Sequence, residues 1–425
     1  MDFSFLHIAD MHLDRPFSGL SGYSWDEDLN KICRNATVKS FNNIIDFAAE
    51  KNVDFVLIAG DTFDSGEHDF SSKLALKRGL DKLNNAGISV YLICGNHDPL
   101  SSYSRNTFSY DENSRIKIIG LNTPACAELP LYSKSGAQIG TVHAVSFTEE
   151  KFHSNLLKNV NRAKSGFNIG LFHCDLNGDA LSPYAPCSLS ELKNLKYDYC
   201  ALGHIHLPSN GSSNILYSGT IQGRNPKETG AHGIRYIKAS EHGIKENKFI
   251  PFDTVRFEDI TIDISAASDS SSAFDIIENK IEDKISKNAD SAEVFLIRPL
   301  LTGCISCFSE INNDFLCAMS DRIKADFSGR VYISEAECAF SPKIDDRLLQ
   351  SDTGISGEIY RTVSNKDILQ NVFEKTEETI SSLTAECAFS TEEYENFRNS
   401  VIFSAKEECK NICSLIYEND GETNE

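Results

Sequence analysis

The feature that most constrains the fold is a set of five short apolar runs, each followed by polar residues that can bind a metal ion. The runs begin at Phe3, Val53, Ile88, Ile169 and Tyr197. The polar residues that follow them are, in chain order, Asp10 and His12, Asp61, Asn96 and His97, His173, and His204 and His206. In an open α/β sheet, ligands bind at the carboxyl ends of the strands. We therefore expect the five endings to meet in one crevice.

Helical periodicity separates the first three runs. Apolar residues recur at helical spacing from Ile32 to Ala48 and from Leu74 to Leu83, so that strands and helices alternate. Such alternation predicts an α/β sheet with right-handed crossovers. A further helix is predicted from Phe152 to Lys164, just before the run that ends in His173.

The polar endings form a mixed donor set of two Asp, one Asn and four His, without a thiolate, once His97 is set aside. This set suits manganese, iron or zinc better than calcium, which prefers oxygen ligands alone. Seven ligands exceed the need of one tetrahedral ion, and a bridging carboxylate would let them serve two ions roughly 3.5–4 Å apart. Such a pair can hold a hydroxide for in-line attack on phosphorus. Five unrelated strand ends are the alternative, which the occurrence of all five motifs in order disfavours.

Beyond these endings, the motifs resemble a known family. Asp10-Met-His12, Gly60-Asp61, Gly95-Asn-His-Asp98, His173 and Gly203-His-Ile-His206 resemble the signature of the calcineurin-like metallophosphoesterases. The segments 7–17, 60–64 and 218–224 are similar to the SbcD-like DNA repair exonucleases, especially their YhaO-type branch. The resemblance covers residues 1–255 well and the remainder by general layout only. It implies the layered α/β sheet fold of that family and a metal-dependent phosphoesterase activity.

The resemblance also implies a role for each matching residue. One metal ion would be held by Asp10, His12, Asp61 and His206. The second would be held by Asp61, Asn96, His173 and His204, with Asp61 bridging the two. His97 would be the catalytic residue that binds no metal, orienting the scissile phosphate or protonating the leaving oxygen, a role that suits an imidazole beside two cations. Apart from the resemblance, Asp98 is expected to orient a neighbour, and Asp64 to hold the metal loop by hydrogen bonds, with direct ligation of a metal as the alternative for Asp64.

A glycine-rich segment, residues 217–230, contains Arg224. Glycine allows the backbone to approach a ligand closely, and the guanidinium fork matches phosphate oxygens. Arg224 therefore either contacts a substrate phosphate or pairs with a carboxylate in a turn-rich connection. The chain contains no Gly-x-x-x-x-Gly-Lys-Ser/Thr motif, so an ATPase activity would have to come from another chain.

The pattern changes after residue 255. We predict a metallophosphoesterase nuclease domain over 1–255, a small α/β capping domain over 256–340, and a linker with C-terminal helices over 341–425. In the last part, apolar stripes from Ile368 to Leu383 and from Phe397 to Ile416 predict two amphipathic helices that pack on the body or dock a partner. The resemblance implies that this partner is an SbcC-like coiled-coil ATPase.

The formal charge of −21 is unusual for a DNA-binding protein, because DNA is bound through Lys and Arg at its phosphates. Residues 1–255 contain 25 Lys and Arg against 28 Asp and Glu, a net charge of −3. Residues 256–425 contain 16 against 34, a net charge of −18. The predicted catalytic part is therefore nearly neutral before metals bind, which is compatible with DNA.

Compartment signals favour a cytoplasmic protein without a membrane partner. The 13 Cys are scattered without the spacing of a disulfide scaffold, which is typical of a reducing compartment. No apolar run reaches the ~18 residues that span a bilayer, and no secretory signal is visible.

The sequence thus predicts a two-metal DNA exonuclease or endonuclease that hydrolyses phosphodiesters with a metal-bridged hydroxide. Manganese is the favoured ion, and iron and zinc are accepted by the same ligands. The expected partners are DNA and an SbcC-like ATPase, and a second copy of the chain, forming a homodimer, is a further possible partner. Two alternatives stand beside this: a phosphodiesterase or phosphatase acting on a small nucleotide or a phosphoprotein, and a non-catalytic scaffold for the ATPase.

Overall fold

The computed structural model of the chain describes residues 1–20, 27–64, 70–103, 108–111, 113–176, 182–211, 213–287, 292–334, 336–343 and 346–365. The strands in these ranges are Asp2–Ile8 (β1), Phe55–Ala59 (β2), Ser89–Ile93 (β3), Ile116–Ile118 (β4), Cys126–Tyr132 (β5), Gln138–Val145 (β6), Phe167–His173 (β7), Tyr199–Gly203 (β8), Ile215–Tyr217 (β9), Gly233–Ser240 (β10), Gly243–Pro251 (β11), Val255–Asp263 (β12), Val294–Ile305 (β13), Val331–Ile333 (β14) and Glu337–Pro342 (β15). The α-helices are Glu27–Glu50 (α1), Phe70–Asn85 (α2), Leu189–Leu195 (α3), Ser270–Lys287 (α4), Asn313–Asp326 (α5), Asp346–Ser351 (α6) and Ile355–Ser364 (α7).

Two sheets carry the five polar endings. The first has the order β11-β10-β1-β2-β3-β4, and the second has the order β5-β6-β7-β8-β9. Strands β1 to β4 are parallel to one another, as are β6 to β9, whereas β10 and β11 join the first sheet in antiparallel pairs. The predicted layered α/β fold is confirmed. Its antiparallel extension through β10 and β11 was not anticipated.

The central strands are apolar on both faces because both faces are covered. In β1, Leu6 and Ile8 belong to one buried cluster while Phe3 and Phe5 belong to another, as the alternation of side chains along a strand requires. The second cluster lies between the two sheets, since it also contains Phe167 and residues of β6 and β8. There the ring of Phe5 stacks on that of Phe55 with centroids 4.7 Å apart.

Helices cover the outer faces of the two sheets. Phe41 of α1 and Leu80 of α2 pack in the cluster that contains Leu6, and Leu192 of α3 packs in the cluster on the outer face of β7 and β8. The layers are therefore helix, sheet, sheet, helix. The helices predicted from Ile32 to Ala48 and from Leu74 to Leu83 are confirmed as parts of α1 and α2.

The helix predicted from Phe152 to Lys164 is wrong. Only a short 3-10 turn, Leu156–Asn159, forms there. The side chain of Asn155 accepts a hydrogen bond from the backbone N–H of Leu157, and the backbone of Phe152 bonds to Pro183 and Ala185. Local side-chain bonds and this bridge satisfy the backbone groups that a helix would use.

The chain divides into two compact units. The first comprises Met1–Asp259, Lys284–Arg298 and Ile323–Ser334, and it contains both sheets described above. The second comprises Ile260–Asp283, Pro299–Arg322 and the described residues that follow residue 335. In the second unit the guanidinium carbon of Arg322 lies 3.7 Å from the centroid of the Phe274 ring.

The three predicted domains, with boundaries at 255/256 and 340/341, stay a prediction. The region predicted as a linker with C-terminal helices, 341–425, begins with the end of β15 and helix α6. The two apolar stripes between Ile368 and Ile416 lie outside the described residues. Among the described helices, none combines the length and the apolar character that crossing a membrane requires.

Truncating Phe5 to Ala is expected to lower the free energy of unfolding by about 3–5 kcal/mol, because a fully buried aromatic ring between the sheets leaves a cavity. Urea denaturation of the two proteins measures this difference. The matched control is Phe70→Ala, since Phe70 is 78% exposed and its loss should change stability by less than about 0.5 kcal/mol. Equal effects of the two substitutions would contradict the packing described here.

Candidate metal centre

The polar endings of β1, β2, β3, β7 and β8 meet at one end of the paired sheets. The backbone N–H of Asp10 donates to the carbonyl of Gly60, and that of Cys174 donates to the carbonyl of Gly203, so neighbouring strand ends stay in register. The imidazole Nδ1 of His173, on the second sheet, lies 2.9 Å from the carbonyl oxygen of Ala59 on the first. The single crevice expected from the sequence is therefore present.

All seven candidate ligands are brought together in this crevice. Asp61 is central, because its Oδ2 lies 3.7 Å from His12 Nε2 and 3.4 Å from His173 Nε2. The side-chain oxygen of Asn96 lies 2.9 Å from His173 Nε2 and 3.2 Å from His204 Nδ1. Two groups, Asp10 with His12 and His206, and Asp10 with Asp61 and His173, each place their donor atoms within 4.8 Å of one another.

The backbone at four of these residues is strained. Asp10, His12, Asp61 and His204 have positive φ angles of 51°, 43°, 49° and 113°, a region that non-glycine residues rarely adopt. Such strain persists only where surrounding contacts hold it, and it concentrates at functional sites. Here the Asp98 carboxylate accepts hydrogen bonds from the N–H groups of Asp61, Thr62 and Gly95 and from the Tyr103 hydroxyl. These contacts bear out the orienting role predicted for Asp98.

The partners of the imidazole nitrogens indicate which nitrogen of each ring is available to a metal ion. His173 Nδ1 faces the Ala59 carbonyl, His206 Nδ1 lies 2.6 Å from Glu228 Oε1, and His12 Nδ1 lies 3.0 Å from Asp64 Oδ1. The acceptors at His173 and His206 take the hydrogen on Nδ1, and the carboxylate of Asp64, at ion-pair distance from His12, favours a hydrogen on that Nδ1 as well. In neutral imidazoles the Nε2 atoms of all three rings then carry lone pairs.

The Nε2 lone pairs face other nitrogen and oxygen atoms that also lack a hydrogen to donate. The Nε2 atoms of His12 and His206 are 3.2 Å apart, and Nε2 of His173 faces oxygens of Asn96 and Asp61. Facing lone pairs repel unless a cation lies between them, and metal-bound imidazoles have their second nitrogen bonded to a carboxylate or carbonyl in this way. The donor set therefore fits divalent metal ions.

Burial keeps two of the histidines neutral, as a metal ligand must be, but it opposes ionisation of the two carboxylates. It lowers the pKa of His173 to about 3 and that of His204 to about 4, so both rings are neutral at pH 7. Burial also raises the pKa of Asp61 to about 6, and burial together with the Asp61 charge raises that of Asp10 well above its usual range. Bound cations would offset the cost of burying two neighbouring carboxylates.

His97 lies at the rim of the crevice and not in its floor. Its side chain is 41% exposed, its Nδ1 is 3.1 Å from the Asp64 carbonyl oxygen, and its backbone N–H donates to Asp61 Oδ1. The ring centroid is 5.1 Å from that of His12. Because the Asp64 carbonyl takes the hydrogen on Nδ1, Nε2 is the nitrogen available to a substrate.

Asp64 organises the polar side of this rim. Its Oδ1 is 3.0 Å from His12 Nδ1 and 3.0 Å from Arg15 Nη1. The hydrogen bond from His12 holds the pKa of Asp64 well below its usual range. Asp64 thus orients its neighbours by hydrogen bonds, as predicted, while Arg15 was not singled out from the sequence.

Glu228 is the functional residue that sequence reasoning missed. Its Oε1 accepts from His206, and its Oε2 accepts the backbone N–H of Arg224 at 2.7 Å. Burial would raise the pKa of Glu228, but the hydrogen bond from His206 and the charge of Arg224 lower it to about 2. The only available signal was its position four residues after Arg224 in the glycine-rich segment.

Arg224 lies beneath the crevice. Its side chain is 2% exposed, with Nη1 3.4 Å from the His12 carbonyl oxygen and Nη2 4.0 Å from Glu228 Oε1. These contacts match the alternative in which Arg224 pairs with a carboxylate. Its contact with a substrate phosphate stays a prediction.

Comparison with known proteins agrees with this geometry. A family model described as calcineurin-like phosphoesterase matches residues 3–208. The uncharacterized metallophosphoesterase YhaO of Bacillus subtilis is 31% identical over 307 residues, covering 71% of this chain and 72% of that protein. The DNA double-strand break repair protein Mre11 of Methanococcus maripaludis is 30% identical over 234 residues, covering 51% of this chain and 56% of that protein. A solved dimetal phosphatase from Danio rerio is 14% identical, covers 59% of this chain and 99% of its own, and has a TM-score of 0.32, too low to carry an argument.

Replacing Glu228 by Gln is expected to weaken manganese binding by about 10–100-fold, because the carboxylate that orients His206 and makes its Nε2 more basic is lost. Isothermal titration of the metal-free protein with manganese measures the affinity. Glu241→Gln is the control, since Glu241 is 67% exposed and pairs with the N-terminal amine. An unchanged affinity in the Glu228 variant would rule out this orienting role.

Acid should destabilise the metal-free protein partly through His7, whose Nε2 is 3.1 Å from the Leu202 carbonyl oxygen. Burial lowers the pKa of His7 to about 3, whereas the unfolded chain takes up that proton near pH 6.5. The unfolded state therefore binds more protons below about pH 6.5, and stability falls as pH falls. Between about pH 7.5 and about pH 5, the unfolding free energy of the wild type should drop by about 2 kcal/mol more than that of His7→Gln. Urea denaturation in EDTA tests this, and parallel pH curves would refute it.

Proposed function

The chain belongs to the calcineurin-like phosphoesterase family, and from that premise we propose that it is a two-metal-dependent DNA nuclease that hydrolyses phosphodiester bonds. Membership makes it a metallophosphoesterase, a hydrolase of phosphate esters. The finer assignment has its support in the donor set, above all in the facing Nε2 atoms of His12 and His206. The name of one relative, a DNA double-strand break repair protein, supports DNA as the substrate.

In this proposal the ligands divide into two groups that share Asp61. Asp10, His12, Asp61 and His206 hold one ion, and Asp61, Asn96, His173 and His204 hold the other. When bound, two divalent ions supply Lewis acidity and neutralise charge at the phosphorus. Manganese is our first choice, and iron or zinc suits the same nitrogen and oxygen donors.

The chain's own residues supply orientation and a proton. The Asp64 carbonyl accepts from Nδ1 and orients the His97 ring, so that Nε2, which carries a hydrogen when the ring is doubly protonated, can donate to a phosphate oxygen or to the leaving oxygen. Asp98 holds the backbone of Asp61 and Gly95, and thereby the loops that carry Asp61 and His97. Glu228 and the Ala59 carbonyl keep two of the ligand rings in the tautomer that leaves Nε2 free.

We further propose a cytoplasmic protein that works with an SbcC-like coiled-coil ATPase, docked through the amphipathic helices that the sequence predicts between Ile368 and Ile416. The support is the resemblance of the motifs to SbcD-like exonucleases and the acidic charge of residues 256–425, which suits a protein partner better than DNA. Copurification with such an ATPase, without turnover of any phosphoester, would instead favour a scaffold.

The purified protein with manganese is expected to degrade linear DNA, and His97→Ala should lower the rate by about 10²–10⁴-fold because the proton donor is lost. Manganese binding should persist in the variant, since His97 is not among the proposed ligands. Gel assays of labelled DNA and metal analysis measure the two properties.

The control variant is His153→Ala, an exposed histidine outside the crevice, which should cleave at the wild-type rate. Turnover of cyclic nucleotides or phosphoproteins without cleavage of DNA would transfer the assignment to a small-substrate phosphodiesterase or a phosphatase. Loss of manganese from the His97 variant would show that His97 acts as a ligand.

A further inference from the structure

A cavity of about 590 Å³ opens beside the metal centre in the first unit. One wall is the loop from Leu13 to Phe17 after β1, another is formed by residues of α1 between Asn30 and Val38, and a third is the start of α2. Arg15 lies between the cavity and the metal centre: it lines the cavity, and its Nη1 is 3.0 Å from Asp64 Oδ1. Asp64 in turn contacts His12 and His97, so the cavity begins where the rim of the metal centre ends.

The lining is chemically suited to an anion. It contains two guanidinium groups, Arg15 and Arg34, and the side-chain amides of Asn30 and Asn35. Among the described lining residues the one acidic side chain is Asp14, whose Oδ1 accepts the backbone N–H of Asp64 at 2.6 Å. In a chain of net charge −21, this lining has an excess of positive charge.

Arg34 is the cation that is free to bind. It is exposed on α1, and within the described part of the chain it has neither an ion pair nor a hydrogen-bond acceptor. Lys39, one and a half turns further along the same helix, differs because its Nζ pairs with Glu293 at 2.5 Å. A guanidinium without an acceptor beside a phosphoesterase centre can accept phosphate oxygens without first breaking an ion pair.

An apolar wall favours a nucleotide over a bare phosphate. Phe17 is half-buried, and its ring centroid lies 6.1 Å from that of Phe257, so its position is supported from behind. The volume falls within the roughly 300–1,000 Å³ of pockets that bury small organic ligands, and it is too small for a duplex. Aromatic surface with nearby cations is how proteins bind single-stranded nucleic acid.

We propose that this cavity binds the nucleotide next to the scissile phosphodiester of a single DNA strand, with Arg34 on a phosphate and Phe17 against the sugar or base. The inference rests on the proposed function and deepens it, since it assigns an unpaired strand to the site. It also separates the chain from phosphatases of small esters, which need no contact beyond the scissile group.

The test is binding of a fluorescein-labelled phosphorothioate oligodeoxynucleotide, which resists hydrolysis, to the manganese-loaded protein by fluorescence anisotropy. Arg34→Gln should weaken binding several-fold at low salt, and the slope of log K against log salt should fall by about 0.7 for one lost phosphate contact. Turnover of bis-p-nitrophenyl phosphate should stay at the wild-type rate, because Arg34 lies outside the catalytic crevice. Lys39→Gln, the same charge change on the same helix at a cation that is already paired, should bind as the wild type does.

Wild-type binding by Arg34→Gln, or an equal loss in Lys39→Gln, would overturn the proposal. A wild-type protein that does not bind the oligonucleotide overturns it as well, even if it cleaves unmodified DNA. If binding depends on Arg34 but unmodified DNA is not cleaved, the proposed role of the cavity in DNA binding stands and the nuclease assignment is contradicted. Tighter binding of RNA of the same sequence would overturn the choice of DNA.

Discussion

At the carboxyl ends of β2 and β8 the two sheets approach so closely that no side-chain carbon fits between them. A Cβ on Gly203 of the second sheet would lie 2.0 Å from the Ala59 carbonyl oxygen of the first, and within the first sheet one on Gly95, after β3, would lie 2.2 Å from Asp61 Oδ1. Both distances are far below any real contact, so glycine is required at these positions. The metal centre depends on this approach, because it lets His173 of the second sheet bond to Ala59 of the first.

Contacts around the crevice also determine which nitrogen of each imidazole carries a hydrogen. The His173 and His206 rings have their Nδ1 atoms bonded to oxygens of the surrounding protein, which leaves Nε2 bare, and His12 Nδ1 lies 3.0 Å from an Asp64 oxygen. The strained backbone at Asp10 and Asp61 aims their carboxylates at the same space. Packing between the sheets therefore supplies the stability that offsets both the strain and the burial of charge.

Charge is distributed unevenly along the chain, in a way that is compatible with the proposed polyanionic substrate. The excess of −18 lies in residues 256–425, whereas the part that carries the metal centre is nearly neutral. Beside that centre, Arg15 and Arg34 face a cavity in which Asp14, the one acidic residue of its described lining, accepts a backbone N–H. Local fields of this kind govern encounter with a charged substrate more than the net charge does, since distant exposed charges are screened by salt.

The sequence by itself determined the α/β layers, the helices around Phe41 and Leu80, and the residues that meet in the crevice, because strand runs and the polar residues after them are local patterns. Tertiary structure alone decided the pairing of His206 with Glu228, the burial of Arg224, the antiparallel β10 and β11, and the failure of the helix predicted from Phe152 to Lys164. Each of these depends on groups far apart in the chain: Phe152 bonds to the backbone of Pro183 and Ala185, and Glu228 is 22 residues from His206. The periodicity of a sequence indicates which face of a helix or strand is apolar. Hydrogen-bond partners depend on which groups lie close together, and that is determined only when the sheets pack.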